Sequence, residues 1–475
     1  MSSTLTPNQA ALVLGGGISG LLAARELAAA GHTVTVLEAA AFWGGCVGSH
    51  VVAGLTLDSG AESFATRSSA VAELAAELGL GGNVVAPRPG GAWVQLPDGP
   101  RELPKTGVLG IPANPWDPEV RRSLGFVGSL RASLDKYLPA SIGASASVTS
   151  VSALVLARMG RRVLERLVAP VVGGVHSADP GLLDVDMVAP GLRAGIREHG
   201  SLAAAVAAQR RGSTQPSVAK AGSAVAGLEG GMHTLVVALL SDLRSRGVTL
   251  MSGTAADAVE RTTDGWRVTA GDTAYDGGLL VVALPGPAAV GLLQAAVPGL
   301  AGRSPESGPD VRLVTLVVDL PELDRRPRGT GILVAPQTPG IRAKALTHAT
   351  AKWDWLAAAA GPGTHVLRLS YGRLEASERS AGTPAIAPDF LAAALHDASA
   401  LLDVPVQETD VVGWDVVRWQ GALPFAAVGH KARVAEVRKL CAAEAGLGIV
   451  GGWVAGNGLA AVVADTRKEI RSLLS

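Results

Sequence analysis

Three glycines close to the start of the chain have the spacing to hold an anion: Gly15-x-Gly17-x-x-Gly20. The first glycine permits a tight turn, the second lets the backbone approach a diphosphate, and the third lets a helix lie close against a strand. Glu38 follows where an acid accepts hydrogen bonds from both hydroxyls of a ribose. Nothing in the chain marks a nucleophile. Neither a Ser/His/Asp nor a Cys/His arrangement stands out, and the two cysteines, Cys46 and Cys441, supply no disulfide framework and no metal-ligand spacing. The protein's own chemistry is therefore to hold and orient, and any redox step must come from what it holds.

The elements around these residues suit that task. Residues 11–14 (ALVL) read as a short buried strand, 18–30 as an Ala/Leu-rich helix, 31–32 as a turn and 33–37 (TVTVL) as a second, β-branched strand that ends at Glu38. The glycine run thus lies between a strand and the N-terminus of a helix, whose free N–H groups and partial positive charge favour an anion. Further along, 66–80 reads as a helix and the Pro/Gly-rich stretch 81–118 as strands with turns. Residues 119–210 are mostly helical, with 151–168 the clearest helix, and 212–221 form a polar connection. A helix over 232–246 precedes strands at 248–251, 266–270, 279–284, 311–318 and 364–371, a helix over 388–402 and a glycine-rich strand-like piece at 447–454. Gly456-Asn457-Gly458 opens a final helix, and no internal repeat is present.

The chain has 475 residues, enough for two or three domains. Lys+Arg and Asp+Glu are both 41, so the formal net charge is zero, which argues against a general nucleic-acid binder. No apolar run reaches the roughly 18 residues of a membrane-spanning helix, and the first residues show no secretory pattern; a cytoplasmic protein without a transmembrane segment is expected.

A second glycine pair behind the acid distinguishes FAD from NAD. Phe42-Trp43-Gly44-Gly45 and then Asp58-Ser59-Gly60-Ala61-Glu62-Ser63 bring backbone toward the flavin side of a cofactor. Gly456-Asn457-Gly458 provides a late counterpart before a helix. Contacts from both ends of the chain imply an α/β fold with a discontinuous Rossmann-type FAD-binding domain.

These motifs, with several further blocks in order along nearly the whole chain, resemble the oxygen-dependent coproporphyrinogen III and protoporphyrinogen oxidases of the flavin amine oxidase-like superfamily, most of all the actinobacterial coproporphyrinogen III oxidases. The blocks are LVLGGGISGLLAARELAAAGHTVTVLEA, WGGCVGSHVVAGLTLDSGAESFATR, KTGVLGIPANPWDPEVRRSLG, VAPVVGGVHSADPGLLDVDMVAPGL, GLEGGMHTLVVAL, KALTHATAKWDW, VVRWQGALPFAAVGH and GNGLAAVVADTR. The resemblance implies three parts: an FAD-binding domain (1–80, 222–285 and 411–475), a sheet-based substrate domain (81–118 and 286–410) and a helical domain (119–212). It implies FAD contacts at Gly15, Gly16, Gly17, Ile18, Ser19, Gly20, Glu38, Ala39, Cys46, Gly60, Ala61, Glu62 and Ser63. By the same resemblance Ala256 meets the adenine through its backbone, and Trp419, Asn457, Gly458 and Leu459 lie near the isoalloxazine. Ala39 and Ala61 stand where the family commonly has Ser and Pro; both contacts are largely backbone.

The reaction so implied removes six electrons and six protons from coproporphyrinogen III in haem biosynthesis, in three flavin cycles, with O2 as acceptor and hydrogen peroxide as product. An apolar cavity with basic groups for propionates is expected, and no strong general base. Protoporphyrinogen IX is the alternative substrate. An amine oxidase, a carotenoid desaturase and a non-catalytic flavin redox sensor are the rival readings.

Arg67, after the Glu62-Ser63-Phe64 segment, could grip a propionate bidentately; a surface arginine is the plainer reading. His176, within GGVHS, could line the substrate cavity or be structural. Lys105, Arg121 and Arg122 read as ordinary solvated charges before a basic rim, His430 as structural support, and Trp353 and Trp355 as core or rim. Arg158, Arg162 and Arg166 lie four apart beside an apolar line. That face could meet a membrane or the next haem-synthesis enzyme, and a solvated helix face is the favoured reading.

Overall fold

A computed structural model describes residues 9–104, 108–145, 148–211, 224–373, 389–421 and 425–475. The polar connection at 212–221 and Lys105 lie outside the described residues. The first βαβ unit forms as its pattern dictates: β1 (Ala10–Leu14), α1 (Ile18–Ala29) and β2 (Thr33–Glu38). Both β1 and β2 belong to a five-stranded parallel sheet ordered Thr249–Ser252, β2, β1, Leu279–Val282, Leu447–Ile449. Because strand side chains alternate, β1 feeds two cores: Ala11 and Val13 face α1 and the helices His233–Ser245 and Leu459–Leu474, whereas Leu12 and Leu14 pack with Trp266, Val290 and Ile449 on the other side. A strand buried on both faces must be apolar throughout, as ALVL is.

A seven-stranded sheet forms the second layer, ordered Val411–Trp419, Val311–Asp319, Thr364–Tyr371, Ala345–His348, Gly331–Val334, Trp93–Leu96, Gly99–Glu102. Helix Phe390–Leu402 covers one of its faces. The edge strand Val411–Trp419 was not marked by the sequence pattern. Its burial does not alternate cleanly, and its register against Val311–Asp319 shifts at Val317/Val318.

Between residues 118 and 211 the chain is helical around its own core. Here two expectations fail. The single helix over 151–168 is instead a helix Val151–Arg158, a break, a short turn Arg161–Val163 and a widened turn Leu164–Val168. Gly160, at φ +89, breaks it. The break also undoes the arginine face. Arg158 is 0% exposed and donates to Asp135 Oδ1 (2.5 Å) and to the carbonyls of Asp135, Pro139, Ile142 and Gly200. Arg162 donates to Leu124 O, and Arg166 to Ser123 O and Asp98. All three arginines bond to neighbouring segments: Arg158 is buried and Arg166 half-buried, while Arg162 stays exposed beside Arg161, which pairs with Glu165.

Removing Arg158 strands a buried carboxylate. Arg158→Met is expected to lower folding stability by about 3–5 kcal/mol, read as a shift in the urea midpoint. Arg161→Ala, at an exposed site, should leave the urea midpoint unchanged. Equal midpoints for the two variants would refute a structural role for the Arg158 network.

Candidate functional site

The glycine loop is compressed by close backbone approach. A Cβ on Gly20 would stand 1.8 Å from the Gly15 carbonyl oxygen, so helix α1 can lie this close to the turn only with glycine there. At Gly17, by contrast, a Cβ would meet nothing within 4 Å. Gly17 is the N-cap of α1, with no side-chain cap and no acid in the first turn. The first amides of α1 are thus left for a ligand rather than satisfied internally. An open Cβ position at an uncapped helix N-terminus fits a diphosphate.

The second glycine pair docks on the first. Gly44 donates its N–H to Gly16 O at 2.8 Å, and Gly17 and Gly44 form an isolated bridge. Cys46 O accepts from Ala61 N at 2.8 Å, and a Cβ on Gly60 would stand 2.1 Å from that oxygen. The Glu38 carboxylate is aimed by two amides, Gly16 N–H at 2.5 Å and Ala40 N–H at 2.7 Å. Its backbone carbonyl accepts from Thr254 N at 2.8 Å, which hangs the loop carrying Ala256 beside it. Residues 15–20, 38–39, 44–46, 60–61 and 256 are therefore one cluster. Leu459 begins the last helix, which packs along α1, and its N-cap Gly458 likewise has no side-chain cap.

Asp58 builds the next segment. Its carboxylate accepts from Met232 N and His233 N, both at 2.9 Å, and so caps the helix His233–Ser245 from a distant part of the chain. Trp419 Nε1 donates to Ser59 O at 2.8 Å, bringing the end of the seven-stranded sheet to the 58–63 segment. Glu62 meets Lys352 Nζ at 2.6 Å and Arg368 Nη2 at 3.8 Å. Burial pushes its carboxyl up, but the charges of Lys352 and Arg368 and the Lys352 hydrogen bond outweigh it and hold the pKa at about 2.

Asn457 Nδ2 donates to Val175 O at 3.0 Å, so the tail segment touches the end of helix Ala169–His176. His176 is buried, its Nδ1 has no partner among the described residues, and burial pushes its pKa down to about 4. Next to it Ser177 Oγ accepts from the buried Lys344 Nζ at 2.6 Å.

Arg67 is not brought in: it is exposed on the turn after the strand Phe64–Ala65 and makes no ion pair among the described residues. His430 is buried, with Nε2 2.7 Å from Trp453 O, a structural role. Trp353 is core, packed against Gly227, and Trp355 lies at its edge. Lys352, Arg368 and Lys344 were missed. Nothing in their local spacing marks them, since their partners are far away in the chain.

Residues 18–311 match the family described as flavin containing amine oxidoreductase. A coproporphyrinogen III oxidase of Mycobacterium leprae is 31% identical over 97% of both chains, and one of Propionibacterium freudenreichii is 28% identical over 96% of this chain and 89% of the relative. The fold superposes on a crystal structure described as a protoporphyrinogen oxidase from Exiguobacterium (TM-score 0.79, 23% identity, 100% of this chain and 99% of that one). It also superposes on cyclohexylamine oxidase from Brevibacterium oxydans (TM-score 0.67, 16% identity, 98% and 99%).

Two outcomes are expected. Gly17→Ala, placed in open space, should keep the melting temperature of the flavin-free protein but weaken FAD binding at least about tenfold, or about 1.4 kcal/mol. Gly20→Ala should lose both fold and flavin; spectrophotometric FAD titration with calorimetry separates the cases, and unchanged FAD affinity in Gly17→Ala would refute the cradle. Acid should destabilise the fold. His176 ionises near 6.5 when unfolded and near 4 when folded, and Glu62 near 4.5 and near 2. Both contributions are whole above those unfolded values and fade as pH falls toward the folded ones. The melting temperature should therefore decline between about pH 6.5 and 4, less steeply in His176→Gln; parallel profiles would refute the assignment to His176. The cradle, the cofactor-side cluster and the matched family agree: the chain belongs to the flavin containing amine oxidoreductases.

Proposed function

We propose that this protein is an FAD-dependent oxidase that converts coproporphyrinogen III to coproporphyrin III in haem biosynthesis, with O2 as acceptor. One observation carries the reading: near end-to-end identity, 31% over 97% of both chains, with a coproporphyrinogen III oxidase. The glycine cradle supports the cofactor, and protoporphyrinogen IX is the competing substrate.

When bound, FAD supplies a two-electron acceptor that O2 regenerates, so six electrons leave the porphyrinogen in three rounds and three O2 become three H2O2. The chain's own residues hold and orient. The α1 amides and the residues 15–20 bind the diphosphate, and Glu38, fixed by two amides, accepts the ribose hydroxyls. Cys46, Gly60, Ala61 and Ser63 line the cofactor with backbone, and Ala256 faces the adenine. The Glu62–Lys352–Arg368 group and the Trp419–Ser59 bond lock the 58–63 segment to the substrate sheet. On the ring side, Asn457, Gly458 and Leu459 approach from the tail.

His176 is the substrate-side residue proposed here. An imidazole kept neutral at pH 7, with an unpartnered Nδ1, can hydrogen-bond a pyrrole without placing a charge against the macrocycle. Its position beside Val175, whose carbonyl accepts from Asn457, supports that reading. Arg67, which the fold leaves exposed and outside the cluster, is carried forward as the proposed propionate contact. Aromaticity of the product drives the reaction, so neither residue need act as a strong base. Following the three-part division that the resemblance implies, the proposed place for the substrate is between the helical region and the seven-stranded sheet. A cytoplasmic enzyme is proposed; no helix among the described residues is long and apolar enough to cross a membrane.

Incubation of the flavin-loaded protein with coproporphyrinogen III in air should raise porphyrin fluorescence, with three O2 consumed per porphyrin. The kcat/KM for coproporphyrinogen III should exceed that for protoporphyrinogen IX, and benzylamine should consume no O2. Faster turnover of protoporphyrinogen IX, or of the amine, would overturn the assignment.

A further inference from the structure

A cavity of about 130 Å3 opens beside the seven-stranded sheet, and no residue of the FAD cradle lines it. Its polar lining is Arg88, Asp324, Arg326, His348, Thr350 and His365. The two histidines form its buried side, His348 1% and His365 6% exposed. His348 Nε2 lies 3.0 Å from His365 Nδ1, which Thr350 Oγ1 also approaches at 3.3 Å. The two outer ring nitrogens are unsatisfied. His348 Nδ1 has no partner among the described residues. His365 Nε2 stands 3.3 Å from Asp324 Oδ1 but is not aligned for a hydrogen bond.

Burial, the facing His365 and the Arg326 charge push His348 down to about 3. Burial also lowers His365, against the opposing pull of Asp324. Both rings are therefore neutral at pH 7. Two neutral imidazoles sharing one proton leave one outward N–H donor and one outward lone pair, whichever tautomer is present. Around them Arg88 is paired with Asp354, while Arg326 is exposed and makes no ion pair among the described residues. The lining thus offers guanidinium and N–H donors together with two acceptors, the Asp324 carboxylate and a ring nitrogen. A fully ionised oxyanion would be repelled by those acceptors. One that keeps an O–H can donate it to the charged acceptor of the two, the Asp324 carboxylate.

We propose that this cavity binds a protonated tetrahedral oxyanion, inorganic phosphate, whose charged oxygens meet Arg326, Arg88 and the outward imidazole N–H and whose P–OH is donated to Asp324. The site has a route to the cradle. His348 leads directly into the short helix Ala349–Lys352, and Lys352 carries the ion pair to Glu62. Phosphate held by His348 steadies the turn that positions this lysine.

The test uses the FAD-saturated protein, so that the diphosphate site is filled, at pH 7.5 and constant ionic strength. Phosphate at a hundred times its Kd should raise the melting temperature saturably by about 2–4 °C. Sulfate and methyl phosphate, which at that pH lack the acidic O–H, should not. Arg326 sits at φ +51, a backbone that suits glycine. Arg326→Gly should therefore remove the phosphate effect without lowering the melting temperature measured in its absence. Asp324→Asn should abolish discrimination between phosphate and sulfate. Equal shifts with phosphate and sulfate in the parent protein, an equal shift with methyl phosphate, or a phosphate shift that survives Arg326→Gly would each overturn the proposal.

Discussion

Helix α1 begins with amide groups that receive no side-chain cap, and the neighbouring loops are built against the turn that precedes them. An uncapped helix N-terminus is costly unless water or a ligand takes the donors. The turn that creates it is tight enough that Gly20 nearly touches the Gly15 carbonyl. From this one constraint follow the docking of Gly44 onto Gly16, the aim of Glu38 and the loop carrying Ala256. Each is a backbone contact, so the cradle's shape depends on close approach rather than on any particular side chain apart from Glu38.

The second organising feature is ionic. The 58–63 segment is held at Asp58 by the helix His233–Ser245, at Ser59 by Trp419, and at Glu62 by Lys352 and Arg368. These partners come from a helix packed on the five-stranded sheet, from two strands of the seven-stranded sheet and from the short helix Ala349–Lys352, so this segment joins layers of the molecule. The charges of Lys352 and Arg368 keep Glu62 ionised despite burial, which makes the joint an ion pair at neutral pH. A segment tied in this way cannot shift without moving the seven-stranded sheet.

Local patterns were readable wherever an element is decided by its own residues. The unbroken apolar run of ALVL, the glycine spacing, the β-branched run up to Glu38 and the helices over His233–Ser245 and Phe390–Leu402 all report the environment of one short segment. Reading failed where one residue changed the register. Gly160 turned an apparently continuous amphipathic helix into two pieces and carried Arg158 from a solvated face into the interior. The strand Val411–Trp419 escaped notice because its pattern is blurred by a register shift against its neighbour.

By itself, the amino-acid sequence determined the strand–glycine–helix–strand unit near the start of the chain, the glycine-opened helix near its end, and the family of folds in which the two occur together. Those facts are written in contiguous motifs, because turn geometry and strand burial are set by neighbours along the backbone. Only the tertiary structure decided that Glu62 is paired with Lys352 and Arg368, that His176 is buried beside the tail while Arg67 stays exposed, and that two histidines share a cavity with Arg326. Pairings of this kind join residues tens to hundreds of positions apart. Their energies depend on distance and burial, which no local spacing encodes.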